Sequence, residues 1–135
     1  MKKYKILIVL ADFYEDISSA LLGRAKLQIP YKYAEPKNIK VIKVPGVFEI
    51  PVTISKNIKK YDAFLALGCV IKGETPHFDF ISQATTQAIM SLSIDHKKPI
   101  GNGIITSLNK KQAFSRSKKK GQEAAKAVLS VLKNF

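Results

Sequence analysis

Three uninterrupted apolar runs constrain the fold of this chain more than any other feature of its sequence. They occupy residues 6–11, 63–71 and 100–105. Continuous runs, in contrast to alternating ones, are typical of strands that are buried on both faces of a parallel sheet. A fourth run, residues 39–44, contains lysines and is predicted to lie nearer a sheet edge.

Helical patterns separate these runs. Apolar residues recur at helical spacing in segments that begin near Ile17, Ile50, Ile81 and Ala124. Asn109 is a good cap for a further short helix over residues 110–117, and the proline-containing stretch 30–38 is predicted to be a surface loop. The order β-α-β-α-β-α-β-α-α predicts an α/β sandwich with a four-stranded parallel sheet.

Length and composition bound the class of protein. A chain of 135 residues with 46% apolar residues fits one domain, residues 1–135, with an ordinary core. The single cysteine, Cys69, excludes an internal disulfide and a cysteine-rich zinc site. No run reaches the length of a membrane-spanning helix, and the basic start is a poor signal peptide. We therefore expect a cytoplasmic protein without a membrane partner.

The formal net charge of +13, from 23 basic and 10 acidic residues, suggests either a polyanionic partner or a compositional bias. No acidic residue occurs between Asp95 and Glu123, although lysines are frequent there. Phe114 is the only aromatic residue among them, and no nucleic-acid motif occurs. This pattern favours a solvated face, so we expect no nucleic-acid partner.

Ligands of open α/β sheets bind beyond the carboxyl ends of the strands, which here means residues 11–16, 45–49, 70–77 and 102–108. Phe13 is either a core residue or a platform on which a planar heterocycle stacks. Glu49 either complements the dipole of the following helix or accepts hydrogen bonds from ligand hydroxyls.

The loop that follows the third strand is the most informative. Gly73 permits close backbone approach, Thr75 can cap a helix and Pro76 suits a first helical position, which together predict an anion site. His77 is predicted in the first turn of that helix, beside this site. The loop lacks the Gly-Lys-Ser/Thr ending of a Walker loop, and the two histidines give no metal-binding spacing.

Two segments make the chain recognisable: Pro-Gly-Val-Phe-Glu-Ile-Pro at 45–51 and Gly-Cys-Val-Ile-Lys-Gly-Glu-Thr-Pro-His-Phe-Asp-Phe at 68–80. With Pro-Ile-Gly-Asn-Gly-Ile-Ile-Thr at 99–106 they resemble the lumazine synthase family over nearly the whole chain. The resemblance implies a flavodoxin-like three-layer α/β/α sandwich and active sites shared between subunits of a homopentamer. It also implies riboflavin synthase as a candidate partner.

The resemblance implies condensation of 5-amino-6-(D-ribitylamino)uracil with 3,4-dihydroxy-2-butanone 4-phosphate to 6,7-dimethyl-8-ribityllumazine, phosphate and water, without a metal or organic cofactor. It assigns proton transfer to His77. It assigns the ribitylaminouracil to Phe13, Val47, Phe48, Glu49, Cys69, Val70, Ile71, Asn102 and Lys120. It assigns the phosphate to Glu74, Thr75 and Arg116. Asn102, Arg116 and Lys120 would come from the adjacent subunit.

Three departures from the family pattern affect these expectations. Asn102 stands where many members have Phe, so the ring contact there is expected to be polar. The sequence begins almost directly at the first strand, so we do not expect the extra N-terminal segment that in relatives adds a strand to a neighbour's sheet. The stretch between Arg116 and Lys120 is about four residues shorter than in many relatives. We expect a pentamer over a sixty-subunit capsid. The rival hypotheses are a non-catalytic lumazine or flavin carrier on the same fold and a basic nucleic-acid-binding module.

Overall fold

Strands and helices alternate along residues 3–74 and 77–134, the part of the chain that the computed structural model describes. The strands are β1 (Ile6–Ala11), β2 (Ile39–Val44), β3 (Ala63–Ile71) and β4 (Ile100–Ser107). The helices are α1 (Glu15–Gln28), α2 (Ile50–Asn57), α3 (Phe78–His96) and α4 (Lys110–Leu132). Short 3₁₀ turns, Pro36–Asn38 and Val47–Glu49, precede β2 and α2.

The four strands form one parallel sheet in the order β2-β1-β3-β4. One core lies between the sheet and helices α1 and α4, and a second lies between the opposite face and helices α2 and α3. The predicted three-layer α/β/α sandwich with a four-stranded parallel sheet is therefore confirmed. The direction of strand addition reverses between β1 and β3, which places the expected ligand crevice at the carboxyl ends of these two strands.

The burial of the strands explains this order. Every residue of β1 is buried, and in β3 only Cys69 is partly exposed, as expected for central strands. β2 is an edge strand, as its lysines predict. β4 is the other edge and leaves Asn102 and Thr106 exposed, so the prediction that its apolar run is buried on both faces is wrong in part.

The prediction of two separate C-terminal helices is also wrong, because α4 runs without a break from Lys110 to Leu132. Asn109 does cap it, since its side chain accepts a hydrogen bond from the backbone N–H of Gln112 at 2.9 Å. Gly121, in the middle, is buried, and a Cβ there would collide with the carbonyl oxygen of Leu21 in α1. The glycine therefore permits close packing of two helices and does not end one.

Two smaller expectations need adjustment. His77 lies immediately before α3, whose first residue is Phe78, and so it precedes the first turn. The stretch 30–38 contains a 3₁₀ turn and buries Tyr33 and Ala34, so it is more ordered than the predicted surface loop. Among the described residues, none of the helices combines the length and the hydropathy needed to cross a membrane.

Candidate active site

A pocket of about 170 Å³ lies at the carboxyl ends of β1, β2 and β3, where the topology predicts a ligand site. Four separate segments contribute to it. Its lining residues are Phe13, Tyr14, Gly46, Val47, Phe48, Cys69, Val70, Glu74 and Ile81. Six of these nine were predicted as site residues from the sequence, so segments that are far apart in the chain do meet at one place.

The aromatic wall of the pocket comes from the turn after β1. Phe13 is 75% exposed, which answers the question of whether it belongs to the core. Its ring meets that of Tyr14 edge to face, with centroids 4.9 Å apart. An exposed ring that a neighbour holds in this way presents a flat face, as a stacking platform requires.

Tyr14 connects this wall to the loop after β3. Its hydroxyl donates a hydrogen bond to Oε1 of Glu74 at 3.2 Å, across 60 residues of sequence. Burial, followed by the charge of Glu74, raises the pKa of Tyr14 to about 12, so the phenol stays protonated at neutral pH. Tyr14 was not among the residues predicted from the sequence, although it directly follows Phe13 in a segment expected at the crevice.

The turn after β2 packs closely against β3 because Gly68 has no side chain. A Cβ on Gly68 would lie 2.7 Å from Cγ1 of Val47 and 3.0 Å from Cβ of Ala11. Val47 is buried against the strand by this contact, whereas Phe48 is largely exposed at the pocket. The Pro-Gly-Val-Phe-Glu segment is thus positioned by a glycine in the neighbouring strand.

The side chain of Glu49 stabilises the turn after β2. Its Oε1 accepts a hydrogen bond from the backbone N–H of Gly46 at 3.0 Å, and the N–H of Glu49 donates to the Gly46 carbonyl at 3.2 Å. Glu49 does not line the pocket of the described chain, so its role as an acceptor for ligand hydroxyls stays a prediction. A carboxylate has further lone pairs, so the turn leaves acceptor capacity for a ligand.

The end of β3 contributes a thiol and backbone groups. Burial raises the pKa of Cys69 to about 12, with smaller contributions from the charges of Glu74 and Asp16. A thiol with this pKa carries almost no thiolate at neutral pH and is a poor nucleophile. Ile71 is fully buried in the core that faces α1 and α4, so only its backbone is available to a ligand.

The expected anion loop is described in part. Gly73 has φ +88°, a left-handed conformation that glycine adopts without strain, and it turns the chain between β3 and Glu74. Glu74 is exposed and its N–H donates to the Ile71 carbonyl at 3.3 Å. Thr75 and Pro76 lie outside the described residues. His77 is exposed at the start of α3 but is not among the residues that line the pocket.

The remaining three predicted residues lie beside the β4 edge of the sheet and do not line this pocket. Asn102 is exposed, and its Oδ1 accepts a hydrogen bond from the N–H of Ile104 at 3.0 Å. Arg116 is exposed on α4 and donates to the Thr106 carbonyl at 3.4 Å. Lys120 lies one turn further along α4 and is half-buried.

The charge of the pocket is the opposite of what a phosphate ester needs. Among its described lining residues there is a carboxylate, Glu74, but no lysine or arginine. The described residues also bring no group of three or more histidine, cysteine, aspartate or glutamate side chains close enough to hold a metal ion. The pocket of one chain can therefore stack an aromatic ring, but it does not itself supply a cation.

Comparisons with known proteins identify the family of this chain. The family model described as 6,7-dimethyl-8-ribityllumazine synthase matches residues 3–135. The enzyme of that name from Agrobacterium fabrum is 42% identical over 143 residues, covering 98% of this chain and 95% of the relative. Those from Bartonella henselae and Polaromonas sp. are 43% and 39% identical, covering 97% and 96% of this chain and 88% and 86% of the relatives. The chain belongs to the 6,7-dimethyl-8-ribityllumazine synthase family.

Proposed function

We propose that this chain catalyses the condensation of 5-amino-6-(D-ribitylamino)uracil with 3,4-dihydroxy-2-butanone 4-phosphate to 6,7-dimethyl-8-ribityllumazine, the penultimate step of riboflavin biosynthesis. Membership in the family supports an enzyme of this class. The observation that carries the proposal is the meeting of Phe13, Val47, Phe48 and Cys69 in one pocket at the topological switch point. We infer a cytoplasmic enzyme that needs no cofactor.

In the proposed site the pyrimidine ring stacks on the exposed face of Phe13. The ribityl chain lies along Val47 and Phe48, with Glu49 accepting from its hydroxyls. The backbone groups of Val70 and Ile71 orient the ring, beside the protonated thiol of Cys69. In this arrangement the apolar side chains supply most of the affinity and a few polar groups orient the ligand, as is typical of small-molecule sites.

The chemistry demands orientation and proton transfer more than a strong nucleophile. The primary amine of the pyrimidine attacks the ketone, and loss of one water gives an imine. Elimination then releases phosphate and leaves an enol, which tautomerises to a second carbonyl. The ribitylamino nitrogen attacks that carbonyl and closes the ring with loss of a second water. His77, at the start of α3, is the proposed proton-transfer residue, and no covalent intermediate with Cys69 is required.

The phosphate requires a cation that one pocket lacks, so we propose that a neighbouring copy supplies it. Arg116 of the neighbour would clamp the phosphate beside Glu74 and Thr75, and Asn102 and Lys120 of the same copy would approach the ring. A volume of about 170 Å³ supports this idea, because pockets that enclose drug-sized ligands measure roughly 300–1,000 Å³. We infer a homopentamer, and riboflavin synthase as a candidate partner that consumes the product.

The decisive experiment is an assay of lumazine formation, by absorbance and fluorescence, from the two substrates. We expect turnover in the wild type and a loss of roughly 10²-fold or less in His77→Ala, at the lower end of the range for one general acid–base group. We expect Arg116→Ala to raise the KM for the phosphorylated substrate far more than that for the pyrimidine. A wild type that binds lumazine but forms none would instead support the non-catalytic carrier.

Subunit mixing tests the shared site. His77→Ala and Arg116→Ala chains are unfolded together in equal amounts and refolded. If each site takes His77 from one chain and Arg116 from its neighbour, about a quarter of the sites regain both residues, and activity rises toward that fraction of the wild type. Activity no higher than the mean of the two parents would place both residues in one chain's site and would contradict the sharing.

A further inference from the structure

Lysines precede every strand of the sheet. Lys5 directly precedes β1, and Lys37 lies in the 3₁₀ turn before β2. Lys59 and Lys60 lie just before β3, and a fourth group, residues 97–98, lies just before β4. Because all four strands are parallel, these connections lie at one end of the sheet, opposite the candidate active site. None of these lysines has a role in the proposed reaction.

Four of these lysines, together with Lys40 of β2, surround one cleft. The cleft has a volume of about 490 Å³, and its lysines are Lys5, Lys37, Lys40, Lys59 and Lys60. It is larger than the pocket of about 170 Å³ at the opposite end of the strands. Its concave shape brings charges together that come from three different strand connections.

The charges in this cleft are poorly compensated within the described chain. Glu35 pairs with Lys37 at 3.4 Å, but it also pairs with Lys3, at 2.8 Å. The carboxylate of Asp62 accepts from the backbone N–H of Lys5 at 2.8 Å, so it is engaged by the main chain. The other four lysines of the cleft are exposed and form no ion pair with a described carboxylate. Concentrated like charges favour the binding of an anion.

The type of side chain indicates the kind of anion. The cleft contains no arginine among its described lining residues, so planar two-pronged recognition is absent. Its aromatic residue, Tyr61, packs edge to face on Phe64 at 6.1 Å and thus belongs to the wall. Lysines without a free stacking ring suit several phosphate charges at short spacing and do not suit unstacked bases.

We propose that this cleft is a binding site for an oligophosphate, a short chain of linked phosphates that is either inorganic or the phosphate part of a nucleotide. The site is separate from the proposed active site and does not depend on its chemistry. Several ammonium groups bind one multiply charged ligand, so the affinity falls steeply with salt.

Calorimetric titration with sodium tripolyphosphate tests the proposal. The cleft variant Lys59→Gln with Lys60→Gln is compared with Lys126→Gln with Lys133→Gln, which removes the same charge from exposed positions on and just after α4. We expect the cleft variant to bind about tenfold more weakly than the wild type, because two ammonium groups that face the ligand are lost, and the control to bind within twofold of the wild type. Circular dichroism and lumazine formation verify that both variants are folded.

The outcomes separate the alternatives. Equal affinity in all three proteins, or no binding, overturns the proposal, whatever the result of the lumazine assay. Binding that Arg116→Ala abolishes and the cleft variant does not would place the anion at the active site instead. ATP that binds more tightly than tripolyphosphate would indicate a nucleotide, and equal affinity an inorganic chain. If duplex DNA binds more tightly than both ATP and tripolyphosphate, the cleft is part of a nucleic-acid-binding surface and the oligophosphate proposal is overturned.

Discussion

Replacing Gly121 by Ala should destabilise the fold, although alanine is the better helix former. Gly121 lies within α4 and is buried where that helix crosses α1. A Cβ at this position would collide with the carbonyl oxygen of Leu21 and would lie 3.1 Å from its carbonyl carbon and 3.2 Å from its Cα. These are backbone atoms of a packed helix, so no side-chain rotation can relieve the contact.

Two opposing effects determine the magnitude. Alanine is favoured over glycine in a helix interior by about 0.5–1 kcal/mol. Overpacking a well-packed site costs about 1–3 kcal/mol, and an obstruction made of backbone atoms belongs in the upper part of that range. The difference predicts a net loss of roughly 1–2 kcal/mol in the free energy of unfolding. For a domain of this size that loss corresponds to a fall in Tm of roughly 4–7 °C.

Gly23 provides the matched control. It also lies inside a helix, α1, but it is exposed, and a Cβ there would have no heavy atom within 4 Å. Gly23→Ala should therefore gain about 0.5–1 kcal/mol from helix propensity alone. Urea unfolding followed by circular dichroism, at one protein concentration and with the assembly state measured in parallel, compares the three proteins. A Gly121→Ala midpoint at or above that of the wild type would refute the argument.

Three further measurements test the site. Iodoacetamide at pH 8 should alkylate Cys69 roughly 10³-fold more slowly in the folded than in the unfolded protein, because burial raises the pKa of this thiol from 9.0 to about 12. Similar alkylation rates in the two states would contradict the burial of Cys69. Tyr14 should titrate near pH 12 when followed by ultraviolet absorbance, because its pKa is raised from 10.0. Its contribution to the free energy of unfolding should be complete below pH 10 and should decline between pH 10 and 12. If the stability of Tyr14→Phe declines as steeply over this range, the assignment to Tyr14 is refuted. Glu49→Gln retains an acceptor for the Gly46 N–H and should unfold near the wild-type midpoint, whereas Glu49→Ala should lose about 1 kcal/mol; equal losses would show that the charge, and not the hydrogen bond, holds the turn.

The local pattern predicts the sheet well because its signals are short-range. Continuous apolar runs become the buried strands β1 and β3, and the lysines of 39–44 correctly indicate an edge. The segment 45–51 is recognisable because turn chemistry and the following helix are encoded within a few residues. Such signals need no knowledge of the rest of the fold.

The features that the sequence could not predict are those that depend on distant contacts. Glycine has a low helix propensity, so Gly121 does not fit the local helical pattern. Only the close approach of α1 explains why a glycine stands inside α4. The hydrogen bond between Tyr14 and Glu74 joins positions 60 residues apart, and no periodicity indicates it. Ile81 fits the apolar stripe of α3 equally well as a core residue and as a pocket residue, so the three-dimensional arrangement alone assigns it to the pocket.

Acidic and basic side chains are distributed unevenly between the two ends of the sheet. Six of the ten carboxylates lie at or just after the carboxyl ends of the strands: Asp12, Glu15, Asp16, Glu49, Glu74 and Asp79. The lysines that precede the strands lie at the other end of the sheet. Lys72, Lys110 and Lys111 also lie just after strands, but they do not line the pocket. Among the described lining residues the charged one is Glu74, so a phosphorylated substrate that enters this pocket meets negative charge. Unless a cation reaches the pocket, binding of the phosphate is opposed by like charge. Arg116, held beside the free β4 edge, is available to a neighbouring copy. The charge of the pocket in a single chain is thus the physical reason for our proposal that a second subunit completes the active site.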